Sequence, residues 1–132
     1  MAQSANVAAV LEAYDLARRG KHRELRPRIV DDATWHPARE GAWNPCRDAD
    51  QIVRTLLWRA HANRMRPGET IDLGDRVLIQ LKGVRLGRLG ARGFFPRLFQ
   101  IVVLRDGKIV RMQDYPGRDE ALAAAGLRAE LT

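Results

Sequence analysis

Apolar residues recur at two different periods along this chain, helical in its first half and alternating in its second. Val7, Val10, Leu11, Tyr14 and Ala17 fall three and four residues apart and Gly20 follows, so the spacing predicts a helix over 4–19. A short second helix is predicted over 22–30, made irregular by Pro27, which lacks a backbone donor. Residues 31–37 read as a turn leading into a short strand, and 39–47, with Gly, Pro and Asn, as a loop. Asp48 is placed to cap a third helix whose apolar face is Ile52, Val53, Leu56, Leu57 and Ala60. Pro67-Gly68 predicts the turn after it.

The second half reads as sheet. Strands are predicted over 69–73, 76–84, 99–105 and 108–115, with turns at Gly74-Asp75 and Asp106-Gly107. Residues 85–96, with Gly87, Gly90 and Gly93, form a loop between the second and third of these. A last helix is predicted over 118–125, with Asp119 and Glu120 at its positive end and Gly126 at the left-handed cap. Helices first and a mostly antiparallel sheet afterwards imply one α+β domain over 1–132, with the helices on one face of a curved sheet.

One residue breaks the alternation. In the last strand Val110, Met112 and Asp114 share a face that is apolar except for the aspartate, while Ile109, Arg111, Gln113 and Tyr115 share the other. A carboxylate on an apolar face has its pKa raised by desolvation unless a cation or donors compensate, which makes it a candidate acid or base. The competing reading is that Asp114, just before Pro116-Gly117, caps a turn.

Composition narrows the classes. No apolar run approaches the length of a membrane span, and the N-terminal stretch, interrupted by Glu12 and Asp15, is not a signal peptide. Cys46 is the only cysteine, so no disulfide forms within the chain and a cytoplasmic location is expected. The net charge of +7 comes almost wholly from arginines scattered along the sequence, which reads as a basic surface rather than a nucleic-acid site. His22, His36 and His61 lack ligand spacing, and no dinucleotide or Walker fingerprint is present, so neither metal nor cofactor is expected.

Helix 1 ending at Gly20, the phrase Asp31-Asp32-Ala33-Thr34-Trp35, the stretch from Asp106-Gly107-Lys108-Ile109-Val110 to Asp114-Tyr115-Pro116-Gly117, and the tail 120–127 together resemble the SnoaL-like branch of the nuclear transport factor 2-like superfamily. That resemblance implies a cone-shaped sheet wrapped around the N-terminal helices, a pocket inside the cone, and a homodimer through the outer sheet face. Family members include polyketide cyclases, ketosteroid isomerases, dehydratases, epoxide hydrolases and non-catalytic modules. Asp114 matches the position of the acid/base aspartate of SnoaL-type cyclases, and Gln100 falls where those cyclases carry a histidine. Tyr14 falls near the helix-1 tyrosine of ketosteroid isomerases, whose base is not matched after Thr34, and whose second acid corresponds roughly to Phe99. The Arg-x-Asp pair of epoxide hydrolases is missing from Gln80-Leu81-Lys82-Gly83, so epoxide hydrolysis is disfavoured.

The expected catalytic set is therefore Asp114 with His36 and Tyr14, and the expected pocket lining is Trp35, Trp43, Gln100, Met112 and Leu57. His36 enters because its ordinary pKa lies near neutrality, although a strand-end histidine bonded to backbone is the plainer reading. Tyr14 and the tryptophans are equally placed to be core residues. Cys46 lacks an adjacent base, which disfavours a nucleophile. The loop 85–97, with Arg85, Arg88, Arg92, Arg97, Phe94 and Phe95, reads as a gate over the pocket or a surface hairpin. The expected activity is cofactor-independent acid/base chemistry on a small, apolar, oxygen-bearing molecule. The alternative is a non-catalytic ligand-binding or dimerisation module.

Overall fold

The computed structural model describes residues 4–127. The first helical stripe forms α1, Ala5–Arg18, with Ser4 as N-cap accepting from the backbone amide of Val7. Its buried side chains are Val7, Val10, Ala13, Tyr14, Leu16 and Ala17, which keep the helical spacing, while Leu11 of the predicted stripe is only half-buried. The second helix is shorter than its apolar content implies. A single turn, α2 (His22–Leu25), passes into a 3-10 turn at Arg26–Arg28, and Ile29 and Val30 already belong to strand β1, Ile29–His36. Pro27 accounts for the break, since it cannot supply the next helical hydrogen bond. Asp31 and Asp32, expected in a turn, are exposed strand residues.

Asp48 caps α3 (Ala49–Ala62) by accepting from the amide of Gln51. The Pro67-Gly68 turn is not formed there. Both residues lie within β2, Arg66–Asp72. β2 stands at one edge of the sheet, where proline is tolerated, and the β2–β3 register shifts between Pro67 and Thr70. β3 (Arg76–Lys82), β4 (Leu98–Arg105) and β5 (Lys108–Tyr115) follow, and α4 (Arg118–Ala124) ends the fold.

The strands are ordered β1-β5-β4-β3-β2, with β1 parallel to β5 and every other pair antiparallel. The inner face packs Ala33, Trp35, Ile79, Leu98, Val102 and Met112 against α1 and α3 in the main core. Not every helix lies on that side. Ala121 and Leu122 of α4 pack with Leu78, Phe99 and Ile101 on the outer face, in a second, smaller cluster. Among the described residues no helix is long and apolar enough to cross a membrane.

Candidate functional site

Asp114 is fully buried, and strand alternation brings it to the inner face beside Met112. Gln100 lies directly opposite it in the β4–β5 register. β1 is the other neighbour of β5, and Trp35, paired with Met112, reaches the same carboxylate. Tyr14 of α1 closes the cluster from the helical side.

The hydrogen bonds have one direction only. Tyr14 Oη donates to Gln100 Oε1 at 2.6 Å, which turns the amide nitrogen towards Asp114. Gln100 Nε2 donates to Asp114 Oδ1 at 2.8 Å, and the indole N–H of Trp35, which can only donate, gives the same oxygen a second bond at 2.7 Å. Asp114 therefore does not cap the Pro116-Gly117 turn. Oδ1 is held from two sides, whereas Oδ2 has no hydrogen-bond partner among the described residues.

The cation facing this free oxygen is Arg59 of α3, whose Nη1 lies 3.7 Å from Oδ2. Arg59 is itself only 4% exposed, and Nη1 has no hydrogen-bond partner among the described residues either. Its guanidinium carbon sits 4.7 Å from the ring centre of Trp35 and 4.2 Å from that of Trp43. These contacts are cation–π in kind. The two indoles meet edge to face at 5.2 Å. The loop carrying Trp43 is tied down by a pair of backbone hydrogen bonds between Trp35 and Cys46.

Burial dominates the electrostatics. Desolvation pushes the Asp114 carboxyl up to about 6, against the opposing effects of the Gln100 bond, the Arg59 charge and the Trp35 bond. Burial and the neighbouring Asp114 raise the Tyr14 phenol well above its ordinary value, so Tyr14 stays a donor at neutral pH. Burial lowers the Arg59 guanidinium, and Asp114 pulls it back up. The cluster thus holds one carboxyl that titrates near neutrality among donors that do not.

The expected residues divide clearly. Asp114, Tyr14, Gln100, Trp35 and Met112 come together on the inner face of the sheet, each 2% exposed or less, so Trp35, Gln100 and Met112 are closed off in the core rather than lining an open pocket, while Trp43 is half-buried and borders a groove. His36 does not join them. Ala33 and Trp35 point inward, so His36 is on the other face of β1, where burial and the charges of Arg111 and Arg47 lower its pKa. Leu57 is half-buried against the main core but does not reach the Asp114 cluster, and it lines grooves on the helical side with Ala17 and Val53. Cys46 is buried beside Thr55, and burial pushes its thiol up. Phe94 and Phe95 are exposed at the tip of the loop 85–97, while Leu86 of the same loop is anchored in the core. Among the described residues no group of three or more His, Cys, Asp and Glu could hold a metal ion.

Sequence reasoning missed Arg59, although a signal was present. Ala49, Ile52, Val53, Leu56 and Arg59 form the buried stripe of α3, so Arg59 is to that helix what Asp114 is to β5. It is a charge on the apolar face.

The bent five-stranded sheet around α1 and α3 is the nuclear transport factor 2-like fold. An NTF2-like protein from Burkholderia xenovorans superposes with a TM-score of 0.62 at 21% identity, over 95% of this chain and 98% of that one. A candidate SnoaL-like polyketide cyclase from Jannaschia gives 0.60 at 18% identity, over 87% and 90%. TerC, co-crystallised with polyporic acid, gives 0.58 at 25% identity, over 84% and 90%. The sequence itself matches no protein-family model and no curated protein.

Proposed function

We propose that this protein is a small-molecule pocket protein in which Asp114 acts as a general acid/base on an apolar, oxygen-bearing substrate, without a cofactor. The observation that carries the reading is the asymmetry of its carboxylate. Oδ1 is saturated by Trp35 and Gln100, while Oδ2 is buried, without a hydrogen-bond partner among the described residues, and part of a group whose burial pushes it up to about 6. The ionised form would accept a proton from carbon or oxygen at Oδ2. Arg59 Nη1, beside that oxygen and without a hydrogen-bond partner among the described residues, would donate to negative charge developing on the substrate. Such a pair can serve isomerisation, cyclisation or dehydration. The fold's recurrence in a SnoaL-like polyketide cyclase candidate, and in TerC with polyporic acid, supports a small-molecule ligand.

Deuterium uptake at the carbon beside the carbonyl of 2-tetralone, in heavy-water buffer, tests the reading. The protein should accelerate uptake with a rising limb near pH 6, and Asp114→Asn should lower it about a hundredfold. Equal uptake in the two folded proteins would leave the non-catalytic binding module as the correct reading.

The proposal includes a cytoplasmic location, with which the free Cys46 is compatible. It also includes a homodimer through the outer sheet face left open by α4, around Val103, Arg111 and Gln113. Sedimentation equilibrium decides between dimer and monomer.

A further inference from the structure

A groove of about 400 Å³ lies on the outside of α3, against the same Arg59 that faces Asp114. Two indoles border it, and one of them is anomalous. Trp58 is 66% exposed, although the core of this fold buries large apolar side chains readily. The exposed indole of Trp58 and the half-buried one of Trp43 both border the groove and offer aromatic surface to a flat ligand.

The polar lining has one sign. Arg54 and Arg59 both line the groove, with Asn44 and Thr55 as neutral neighbours, and no carboxylate among the described residues lines it. The acidic residues near Arg54 are already engaged, since Arg26 pairs with both Asp31 and Asp50. The Arg59 guanidinium lies against the indoles of Trp35 and Trp43, almost wholly out of water, with Nη1 turned inward to Asp114, so it adds positive charge to the groove wall beside the exposed Arg54.

We infer that the groove is a binding site for a planar aromatic carboxylate, its ring stacked on Trp58 and Trp43 and its carboxylate held by Arg54 and Arg59. The inference deepens the reading of the cone as a small-molecule site by naming the ligand class at its edge. It does not depend on catalysis by Asp114. Affinity comes from two sources that separate by experiment: aromatic stacking, which needs the indoles, and charge-assisted bonding, which needs the carboxylate.

Titration of the nitrogen-15-labelled full chain with 2-naphthoate tests it. Each of the three tryptophans gives its own indole N–H signal. Those of Trp58 and Trp43 should shift saturably, and that of Trp35, bonded to Asp114, should move least. The neutral 2-naphthamide should bind about tenfold or more weakly, as expected for loss of a charge-assisted pair. Arg54→Gln and Trp58→Ala alter exposed side chains, so both should fold normally and each should lower naphthoate affinity several-fold. Asp114→Asn should bind naphthoate while losing 2-tetralone exchange. Naphthamide binding as tightly as naphthoate, or undiminished affinity in Trp58→Ala, overturns the inference. Failure of naphthoate to bind while 2-tetralone exchange persists overturns it alone and leaves the role of Asp114 standing.

Discussion

Nη1 of Arg59 and Oδ2 of Asp114 stand 3.7 Å apart inside the protein, each without a hydrogen-bond partner among the described residues. The spacing leaves the pair attractive but unclosed. A buried ion pair at this separation recovers only part of its desolvation penalty, so it is weak support for stability and strong control over protonation. Replacing Arg59 with methionine removes the cation and keeps most of the volume. The Asp114 midpoint should then rise above about 6 by roughly one pH unit or more. Carbon-13 NMR of the labelled aspartate carboxyl reads the midpoint directly. A downward shift would mean that the arginine does not act on the carboxylate by its charge.

The raised pKa also fixes how stability depends on pH. Below about pH 4 Asp114 is protonated in both folded and unfolded chains and contributes nothing. Between about 4 and 6 the folded chain binds the proton more tightly, so stability falls as pH rises; above about 6 the loss is complete. It amounts to about 3 kcal/mol, in order of magnitude. Denaturant unfolding of the protein and of Asp114→Asn across this range should show their stability difference drifting against the aspartate form as pH rises. A difference independent of pH would place the folded and unfolded pKa values together.

Local signals in the sequence carry much of this arrangement. The stripes of α1 and α3, the Asp48 cap and the Asp106-Gly107 hairpin are of that kind, and alternation from Met112 onward suffices to single out Asp114, although the register shift beside Leu104 puts Ile109, not Val110, in the core. The features that escape a sequence reading depend on long-range pairing or on context. Trp35 reaches Asp114 only because the first strand pairs in parallel with the last, 79 residues away, which no local pattern encodes. The same alternation that turns Trp35 inward turns His36 outward, so proximity in sequence misleads. Pro67-Gly68 reads as a turn unless the strand is known to be an edge. Arg59 escapes because the α3 stripe is traced through Leu57 and Ala60, whereas the buried one runs from Leu56 to Arg59.

Tyr14 acts on Asp114 through Gln100. Its hydroxyl is the donor that makes Gln100 Oε1 an acceptor and so commits Nε2 to the carboxylate. Tyr14→Phe leaves that oxygen buried and unbonded, and should lower stability by about 1–3 kcal/mol. It should also raise the Asp114 midpoint, because the amide is freed to turn its nitrogen away. A purely structural tyrosine would change the melting temperature and leave the midpoint where it was. The two measurements together therefore assign the role.

The position of Arg59 rests in turn on the end of its helix. Asn63, one turn further along, caps α3 and bonds through its side-chain nitrogen to the backbone oxygen of Val84, whose amide bonds back to the Asn63 carbonyl. Gly83 makes this approach feasible. A Cβ added there would lie 2.4 Å from the Asn63 carbonyl oxygen and 3.3 Å from the Met65 Cα, and both are backbone atoms that cannot rotate away. Gly83→Ala must then push β3 and the end of α3 apart, at about 1–3 kcal/mol. Because α3 carries Arg59, the damage should reach the site. The Asp114 midpoint should rise with the loss of stability, whereas an alanine at exposed Gly87, which meets nothing within 4 Å, should change neither. An unchanged midpoint in a destabilised Gly83→Ala protein would show that the two backbones separate without moving the arginine.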